Sequence, residues 1–240
     1  MISVCIASHN GEKYIGEQLR SILAQLGKDD EVVVSDDGST DRTLAEIEAV
    51  ADPRVRVVDF RQTGRARCRY DFATRNFENA LRHSRGDIIF LSDQDDVWLP
   101  GKVEAMTAAL AGSILALSDC KVTDADLKVA SPSYFATVPP RAGALANILR
   151  CTVLGSCMAF RRSLLDRALP FPPSLVAHDL WLALVAGREG KIAFVREPLM
   201  LYRRHEGTTS AAAGKSSNSL AFKIRYRLAA IYYYAKLTRR

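Results

Sequence analysis

Residues 90–98 read FLSDQDDVW, and this stretch joins the end of an apolar run to a row of carboxylates. The run itself, DIIFLS, is typical of a β-strand that is buried on both faces. Asp93, Asp95 and Asp96 follow it directly. Like charges this close repel each other, and the repulsion grows near an apolar interior. We therefore expect a positive group to lie at this end of the strand.

Similar apolar runs recur along the first half of the chain, and segments with apolar residues at helical spacing separate them. Ser39 or Thr40 is predicted to cap one of these helices, which would open at Asp41. Alternation of strands and helices is typical of an α/β fold with a mainly parallel central sheet flanked by helices. The predicted strands are residues 2–7, 31–35, 55–59, 87–92 and 114–119.

The second half has a less regular pattern. Residues 120–150 suggest an irregular stretch, and residues 161–169 and 179–187 are predicted helices. KIAFV and LMLYR are predicted as two strands that follow these helices. Residues 207–219 are rich in Gly, Ser, Thr and Ala, and we expect them to form a flexible loop.

Composition limits the classes of protein that fit. With 48% hydrophobic and 25% charged residues, the chain has the composition of a soluble globular domain. No apolar run approaches the roughly 20 residues that a membrane span needs. The first residues already form a strand-like run, so we expect no signal peptide. The five cysteines show no metal-binding spacing, which favours reduced thiols and a cytoplasmic location.

The net charge of +6 is concentrated in two places, an arginine cluster at residues 61–69 and a basic segment at residues 223–240. Patches of this kind bind phosphates, nucleic acids or anionic lipids, or they form an ordinary solvated surface. The composition alone leaves these alternatives open.

Three polar segments begin where predicted strands end. In an open parallel sheet these ends share one edge, and ligands bind there. The Gly-rich dinucleotide loop and the phosphate loop GxxxxGK[ST] are both absent. Carboxylates instead attract hard divalent cations, which in turn hold phosphate oxygens. The sequence therefore predicts a metal that holds a diphosphate at this edge. The three segments are SHNGE (8–12), SDDGSTD (35–41) and SDQDD (92–96).

Four longer segments resemble the inverting nucleotide-sugar glycosyltransferases of family 2, and their rhamnosyltransferase-like subgroup in particular. The resemblance is strong over residues 1–110 and 178–206 and weak elsewhere, and DDGSTD together with DQDD is its most specific part. It implies a glycosyltransferase A-type fold with a Rossmann-like nucleotide half. The segments are VCIASHNGEKYIGEQLRSILAQ, VVVSDDGSTDRT, NFENALRHSRGDIIFLSDQDDVWLPGKVE and HDLWLALVAGREGKIAFVREPLMLYRRH.

The resemblance implies a set of nucleotide and metal contacts in the first half. Asp37 would accept a hydrogen bond from a pyrimidine N3–H and so read the base. Asp93 and Asp95 form the Asp-x-Asp motif, and Asp95 and Asp96 would face Mg²⁺ or Mn²⁺ and the sugar diphosphate. His205 would lie near the same metal and diphosphate. Arg75 is a further candidate contact for the diphosphate. The residues expected at the nucleoside are Ala7, Ser8 and Asn10.

The resemblance also places the reaction in the second half. Asp179, in AHDLW, matches the position of the general base, and His178 replaces the glutamate that usually precedes it. An alternative role for Asp179 is to cap a helix that starts at Leu180. Trp181 is predicted to line the acceptor pocket with His178, although packing in the core is its alternative role.

These features predict a metal-dependent inverting glycosyltransferase that moves one sugar from a nucleotide-diphosphate donor to a glycan or lipid-linked acceptor in cell-surface polysaccharide synthesis. The QxxRW signature of processive synthases is absent, which favours single-sugar transfer. The predicted organisation is one domain over residues 1–215, with a nucleotide-sugar half at 1–119 and an acceptor half at 120–215. A nucleotidyltransferase and a non-catalytic nucleotide-sugar-binding protein are the alternatives. Nucleic acid is not an expected partner.

A basic helical tail is predicted over residues 216–240. Phe222, Tyr226 and Tyr233 form one of its two apolar stripes. Such a helix either packs on its own domain or on a second subunit as a homodimer, or it also contacts an anionic membrane. Contact with an anionic membrane would place the protein in the cytoplasm, peripherally on the inner face of the cell membrane. The other stripe consists of Leu220, Ile224, Leu228, Ile231 and Ala235.

Overall fold

The computed structural model describes residues 1–62, 70–173, 177–205 and 219–237 of the chain. Its strands are β1 (Ile2–Ser8), β2 (Glu31–Asp37), β3 (Val55–Phe60), β4 (Ile88–Asp93), β5 (Val97–Trp98), β6 (Leu115–Thr123), β7 (Val129–Ser131), β8 (Met158–Arg161) and β9 (Ile192–Arg203). Its helices are α1 (Ile15–Leu23), α2 (Thr43–Glu48), α3 (Asp71–His83), α4 (Lys102–Ala109), α5 (Tyr134–Thr137), α6 (Ala144–Leu149), α7 (Leu165–Ala168), α8 (His178–Glu189) and α9 (Leu220–Leu237).

One sheet runs through both halves of the chain, in the order β3-β2-β1-β4-β8-β6-β9-β5, with β7 paired to β6. The strands β3, β2, β1 and β4 are all parallel, whereas β4–β8, β8–β6 and β9–β5 are antiparallel. The α/β class, the central sheet flanked by helices and the C-terminal helix are therefore confirmed. The parallel pairing belongs mainly to the first half, and the second half is mixed.

The register of the parallel strands brings the polar segments together. Ala7 near the end of β1 pairs with Ser35 of β2 on one side and with Asp93 of β4 on the other. The segments that follow these three strands therefore leave the sheet side by side, as the sequence predicts. This edge is where the candidate site lies.

The core has two layers, one on each face of the sheet. Alternate residues of β1 point to opposite faces, so Val4 and Ile6 pack with α1 and α4, whereas Cys5 packs with α3 and α8. All three of these β1 residues are fully buried, which confirms a strand covered on both faces. Helix α9 adds Ala230 and Leu237 to the layer that contains α8.

Helix α2 begins at Thr43, two residues later than predicted, and neither Ser39 nor Thr40 caps it. The Ser39 hydroxyl instead donates a hydrogen bond of 2.6 Å to Asp36. Asp41 lies outside the helix and accepts a hydrogen bond of 3.0 Å from the Thr43 amide. The prediction was wrong because the Ser39 hydroxyl binds Asp36 within the loop, while Asp41 accepts from the first amide of the helix.

The second half also differs from the expected pattern. KIAFV and LMLYR form one continuous strand, β9, whose pairing with β6 shifts register around Asp119. The stretch 120–150 contains β7, α5 and α6. The predicted loop at 207–219 lies outside the described residues except for its last residue. Arg65, Arg67 and Arg69 also lie outside them.

Among the helices that are described, none has both the length and the apolar character to span a bilayer.

Gly86 lies in the turn before β4, pressed against the start of β1. Its amide donates a hydrogen bond of 2.7 Å to the Ser3 hydroxyl. A Cβ atom at Gly86 would lie 2.7 Å from the carbonyl carbon of Ile2, which is a backbone atom that cannot move away without displacing the strand. This close approach requires glycine.

We expect Gly86→Ala to lower the free energy of unfolding by about 1–3 kcal/mol, because the added methyl group overpacks β1 against the turn. Urea unfolding measures this change. Gly112→Ala is the matched control, since a Cβ at Gly112 would meet nothing within 4 Å. Equal stability of the two variants would contradict the close packing of this turn.

Candidate active site

The loop after β1 is held by Gln94, the residue between the two aspartates of the Asp-x-Asp motif. Its Oε1 accepts hydrogen bonds of 3.0 Å from both the Ser8 hydroxyl and the His9 amide, and its Nε2 donates one of 3.1 Å to the His9 carbonyl. A Cβ atom at Gly11 would overlap the Gln94 side chain. Ser8 is buried, and its carbonyl accepts a hydrogen bond of 3.0 Å from Asn76 Nδ2. Gln94 thus joins the ends of β1 and β4.

The loop after β2 is joined to the loop after β1 through Asn10. Asn10 has a left-handed backbone (φ 48°), and its Oδ1 accepts a hydrogen bond of 2.9 Å from the Thr40 amide. Its own amide donates one of 2.9 Å to the Ser39 hydroxyl. Asn10 therefore fixes the relative positions of the loops after β1 and β2. Ala7 lies inside the sheet, paired with Ser35 and Asp93.

The two aspartates at the end of β2 have different roles. Asp36 is buried, and both of its carboxylate oxygens accept hydrogen bonds from Ser39. Asp37 is partly exposed and accepts from the Gln62 amide at 2.9 Å and from Gln62 Nε2 at 2.8 Å. Asp36 is consequently a structural group, and Asp37 is the carboxylate that a ligand can reach by displacing the Gln62 side chain.

We call residues 93–96, at and after the end of β4, the acidic loop. This loop contacts the segment that follows β9. Asp95 Oδ2 and His205 Nε2 lie 2.7 Å apart, and the His205 ring packs against Tyr14 with centroids 5.0 Å apart. Asp96 is fully buried and its Oδ1 accepts a hydrogen bond of 3.0 Å from the Arg203 amide. Its Oδ2 has no hydrogen-bond partner among the described residues.

Arg203 supplies one positive group beside this loop, and the sequence analysis did not identify it. Its buried guanidinium donates 2.7 Å hydrogen bonds to the carbonyls of Asp95 and Ala125 and forms an ion pair with Glu17 of α1. It also lies over the Tyr14 ring, 4.5 Å from the centroid. The only sequence signal was a basic residue at the end of an apolar strand.

Lys102 is the second positive group, and it is fully buried behind the acidic loop. Its Nζ donates a hydrogen bond of 2.9 Å to the Ser156 carbonyl and lies 4.6 Å from the centroid of Trp98. Burial lowers the pKa of Lys102, whereas the nearby charge of Asp96 acts in the opposite direction. A lysine in the first turn of a helix gave no indication of this buried position.

Burial also dominates the carboxyl groups of the loop. Burial, followed by the charges of Asp95 and Asp179, raises the pKa of Asp93 to about 7. Burial and the charges of Asp95 and Asp93 raise the pKa of Asp96 well above its ordinary value. The surroundings of the loop therefore disfavour the ionised form of both carboxyl groups. A divalent cation would favour their ionised forms.

The donor set suits a hard divalent cation only in part. Asp95 and His205 offer a carboxylate and an imidazole in contact, and Asp96 offers one unpaired oxygen. Within the described ranges, no three acidic, histidine or cysteine side chains already converge as a complete site. The predicted set Asp95, Asp96 and His205 is thus brought into one region, but it is not a preformed cage.

Asp179 lies in the first turn of α8, at its second residue. The helix begins at His178, so the predicted capping role of Asp179 for a helix starting at Leu180 is wrong. One carboxylate oxygen accepts a hydrogen bond of 2.6 Å from the Leu180 amide. Burial raises the pKa of Asp179 to about 6. Asp179 lies beside the turn Gly155–Cys157, since a Cβ atom at Gly155 would lie 3.6 Å from the Cβ of Asp179. The Ser156 carbonyl of this turn accepts a hydrogen bond of 2.9 Å from Lys102.

His178 lies beside Asp179 in a buried environment. Its ring packs on Phe77 with centroids 4.3 Å apart, and a Cβ atom at Gly155 would lie 2.8 Å from its Nε2. Its Nδ1 has no hydrogen-bond partner in the part of the chain that is described. Burial lowers the pKa of His178 to about 3, so the imidazole is neutral at physiological pH.

Two predicted contacts do not fit their surroundings. Trp181 is only 4% exposed, and its indole N–H donates a hydrogen bond of 2.9 Å to the Ala168 carbonyl. It is a core residue with no surface for an acceptor, because α8 is buried on nearly all sides. Arg75 forms a two-point ion pair with Asp71, with distances of 2.6 and 3.2 Å, and would have to leave it to bind a diphosphate.

The pKa of Asp179 makes stability depend on pH. The folded pKa of about 6 lies above the ordinary 3.8, so burial of the charged form destabilises the fold above pH 6 and not below pH 4. Relative to wild type, Asp179→Asn should therefore gain roughly 3 kcal/mol of stability as pH rises through this window. Urea unfolding at several pH values tests this. Asp166→Asn, which makes the same change at an exposed position of α7, is the control, and a pH-independent difference for Asp179→Asn would contradict the raised pKa.

Solved structures share this architecture. Residues 1–349 of S. aureus TarS, in complex with UDP-GlcNAc, align with a TM-score of 0.71 and 24% identity, over 96% of this chain and 66% of that one. Glucosyl-3-phosphoglycerate synthase from Mycobacterium tuberculosis, in complex with Mn²⁺, UDP and phosphoglyceric acid, aligns with a TM-score of 0.58 and 24% identity, over 85% of this chain and 71% of that one. At these identities the likeness shows the fold.

Relatives and a family model carry the comparison further. The dTDP-rhamnosyl transferase RfbG of Shigella flexneri is 25% identical over 92% of this chain and 77% of its own length. An E. coli glucosyltransferase named for α-D-GlcNAc-diphosphoundecaprenol, WfgD, is 29% identical over 43% of this chain and 38% of its own. The family model described as Glycosyl transferase family 2 matches residues 3–169, well over half of the chain. The chain therefore belongs to glycosyltransferase family 2.

Proposed function

We propose that this protein is a metal-dependent, inverting, single-sugar transferase of the rhamnosyltransferase-like subgroup. It would move a hexosyl or deoxyhexosyl group from a nucleotide-diphosphate donor to a hydroxyl of a glycan or lipid-linked acceptor in cell-surface polysaccharide synthesis. One observation carries this proposal: Asp179, from the second half, lies beside the turn Gly155–Cys157, whose Ser156 carbonyl accepts a hydrogen bond from Lys102 behind the acidic loop of the first half. A base beside the acidic loop is what direct displacement at a sugar diphosphate requires.

Residues 1–119 would bind the donor. The nucleoside would lie on Ala7, Ser8 and Asn10, and Asp37 would accept from the N3–H of a pyrimidine. In the free protein, the Gln62 side-chain amide donates to Asp37 in the way that this N3–H would. The name of RfbG specifies dTDP and the TarS complex contains UDP-GlcNAc, which supports a pyrimidine donor, whereas the complex of the mannosyltransferase PcManGT contains the purine donor GDP-Man.

Mg²⁺ or Mn²⁺ would be held by Asp95 and His205, with Asp96 as a further oxygen donor. When bound, the cation supplies charge neutralisation for the departing nucleoside diphosphate. Two structural neighbours, the mycobacterial synthase and the mannosyltransferase PcManGT from Pyrobaculum calidifontis, are complexes with Mn²⁺. Asp93 would face the sugar end of the donor, next to the proposed general base Asp179.

Asp179 would accept the proton of the acceptor hydroxyl. As the new bond forms between this oxygen and the anomeric carbon, the bond to the diphosphate oxygen breaks, and the configuration at the carbon inverts. A pKa of about 6 makes Asp179 a stronger base than an ordinary carboxylate while leaving it mostly ionised at neutral pH. His178, neutral and adjacent, would contact the acceptor in residues 120–215, the proposed acceptor half.

We further propose that the protein works in the cytoplasm at the inner face of the cell membrane. A water-soluble nucleotide sugar and a lipid-linked acceptor can meet at such a surface. The name of the relative WfgD includes a diphosphoundecaprenol-linked sugar, which supports a lipid-linked acceptor for this chain too.

Asp95→Asn should remove a charge from the cation site and reduce turnover about 10²-fold or more, because stabilisation of the diphosphate leaving group contributes several kcal/mol. Release of nucleoside diphosphate from a panel of UDP- and dTDP-sugars, measured over a range of Mn²⁺ concentrations, tests this. Asp166→Asn makes the same change on an exposed helix and should behave as wild type. Near-full turnover by Asp95→Asn without Mn²⁺ would exclude the proposed metal role.

Asp179→Asn should reduce sugar transfer about 10²-fold or more while donor affinity stays close to wild type, because only the proton acceptor is removed. Donor affinity is measured by calorimetry, and proton NMR of the wild-type product identifies the anomer formed. A non-catalytic binding protein would show donor affinity but no turnover in either form. A retained anomeric configuration, or parallel loss of affinity and turnover in the variant, would overturn the role of Asp179.

A further inference from the structure

Helix α9 has an apolar side that no other described element covers. Its inner side, with Tyr226, Ala230 and Tyr233, packs against the core layer that contains α8. The outer side carries aliphatic residues at helical spacing, and Leu228 among them is 60% exposed. Aliphatic side chains in a regular exposed row are unusual on a free surface. The exposed row consists of Leu220, Ile224, Leu228 and Ile231.

Helix α6 enlarges this apolar surface. Leu145 is 66% exposed and Leu149 is also exposed, so α6 has the same kind of outer side as α9. The guanidinium of Arg227 in α9 donates a hydrogen bond of 2.7 Å to the Leu149 carbonyl, which joins the two helices. We call the exposed residues of these two helices and of the turns next to them the α6–α9 face.

The charge of the α6–α9 face has one sign. Residues 141–150 and 219–237 contain six basic residues and no acidic residue. A second copy of the chain on this face would bring like charges together, which disfavours it as a partner. Exposed leucines with a basic rim instead match a surface that is apolar beneath and anionic above. The basic residues are Arg141, Arg150, Lys223, Arg225, Arg227 and Lys236.

We propose that the α6–α9 face binds an anionic lipid bilayer and lies along it. Helix α9 is also linked to the candidate site through its inner side, where the Tyr226 hydroxyl accepts a hydrogen bond of 3.2 Å from the amide of Ala177, the residue before His178 and Asp179. Binding would therefore bring the N-terminus of α8 near the bilayer. The binding of the α6–α9 face to a bilayer does not rest on the proposed function. Only its use, which is to bring a lipid-linked acceptor close to Asp179, rests on it.

The test is sedimentation with vesicles of phosphatidylcholine, with and without phosphatidylglycerol, at low and high salt. The wild type should bind only the vesicles that contain phosphatidylglycerol, and more weakly at high salt. Ile224→Glu with Leu228→Glu should weaken binding about tenfold or more. Leu44→Glu on α2 is the control for Ile224→Glu alone, because Leu44 is 46% exposed and Ile224 is 47% exposed.

A second variant tests the charges without touching the apolar row. Arg225→Gln with Lys236→Gln should weaken binding to phosphatidylglycerol vesicles by about tenfold or more, since each basic residue contributes about fivefold near such a surface. Circular dichroism and urea unfolding check that both double variants keep the wild-type fold, which their exposed positions predict.

Three results would overturn the proposal. They are equal binding to both kinds of vesicle at any salt, undiminished binding by the Ile224→Glu, Leu228→Glu variant, and a dimer in sedimentation velocity that this variant converts to monomers. Asp179→Asn should bind vesicles as wild type does. Absence of sugar transfer by the wild type, or undiminished transfer by Asp179→Asn, together with intact vesicle binding, would therefore count against the proposed function alone.

Discussion

Arg203 holds the acidic loop of this protein, and the candidate site depends on that interaction. Its guanidinium is almost completely buried and binds the Asp95 carbonyl, the Ala125 carbonyl and the Glu17 carboxylate, while its amide binds Asp96. A buried cation without partners would be costly, but here each contact is charge-assisted. Because Arg203 ends β9 and the loop follows β4, this one side chain fixes the second half of the chain to the first.

The acidic residues themselves make the fold less stable than it could be. Asp93 and Asp96 are held where burial and mutual repulsion raise the pKa of each carboxyl, and Lys102 is buried close behind them. A chain that only had to fold would place apolar residues there. In the proposed function, a divalent cation would supply the missing positive charge and let the anionic diphosphate bind beside the aspartates, so the cost in the free protein would become binding free energy in the complex.

Local patterns predicted what depends on neighbouring residues in the sequence. The parallel first half followed from apolar runs and helical spacing, and the meeting of three polar segments followed from the rule that parallel strands end at one edge. Long-range contacts were not predictable in this way. Arg203 and Lys102 are isolated basic residues in sequence, and only the fold shows that both are buried next to the acidic loop.

The errors have physical causes of the same kind. Trp181 lies in a helix that is apolar on nearly all sides, so periodicity could not indicate whether it faces the core or the site. In the loop after β2, several short polar side chains compete to cap α2, and their contacts with Asp36 and Asn10 decide the outcome. Gln94 occupies the unspecified position of a motif, and its role became visible only from its bonds to Ser8 and His9.

The central claim is that the acidic loop and His205 bind a divalent cation and a nucleoside diphosphate as one unit. Calorimetric titration of UDP into the wild-type protein, with Mn²⁺ and with the cation removed by a chelator, tests it most directly. We expect UDP to bind about tenfold or more tightly with Mn²⁺, because the cation screens the diphosphate from the three aspartates. Equal affinity for UDP in the presence and absence of Mn²⁺ would contradict it.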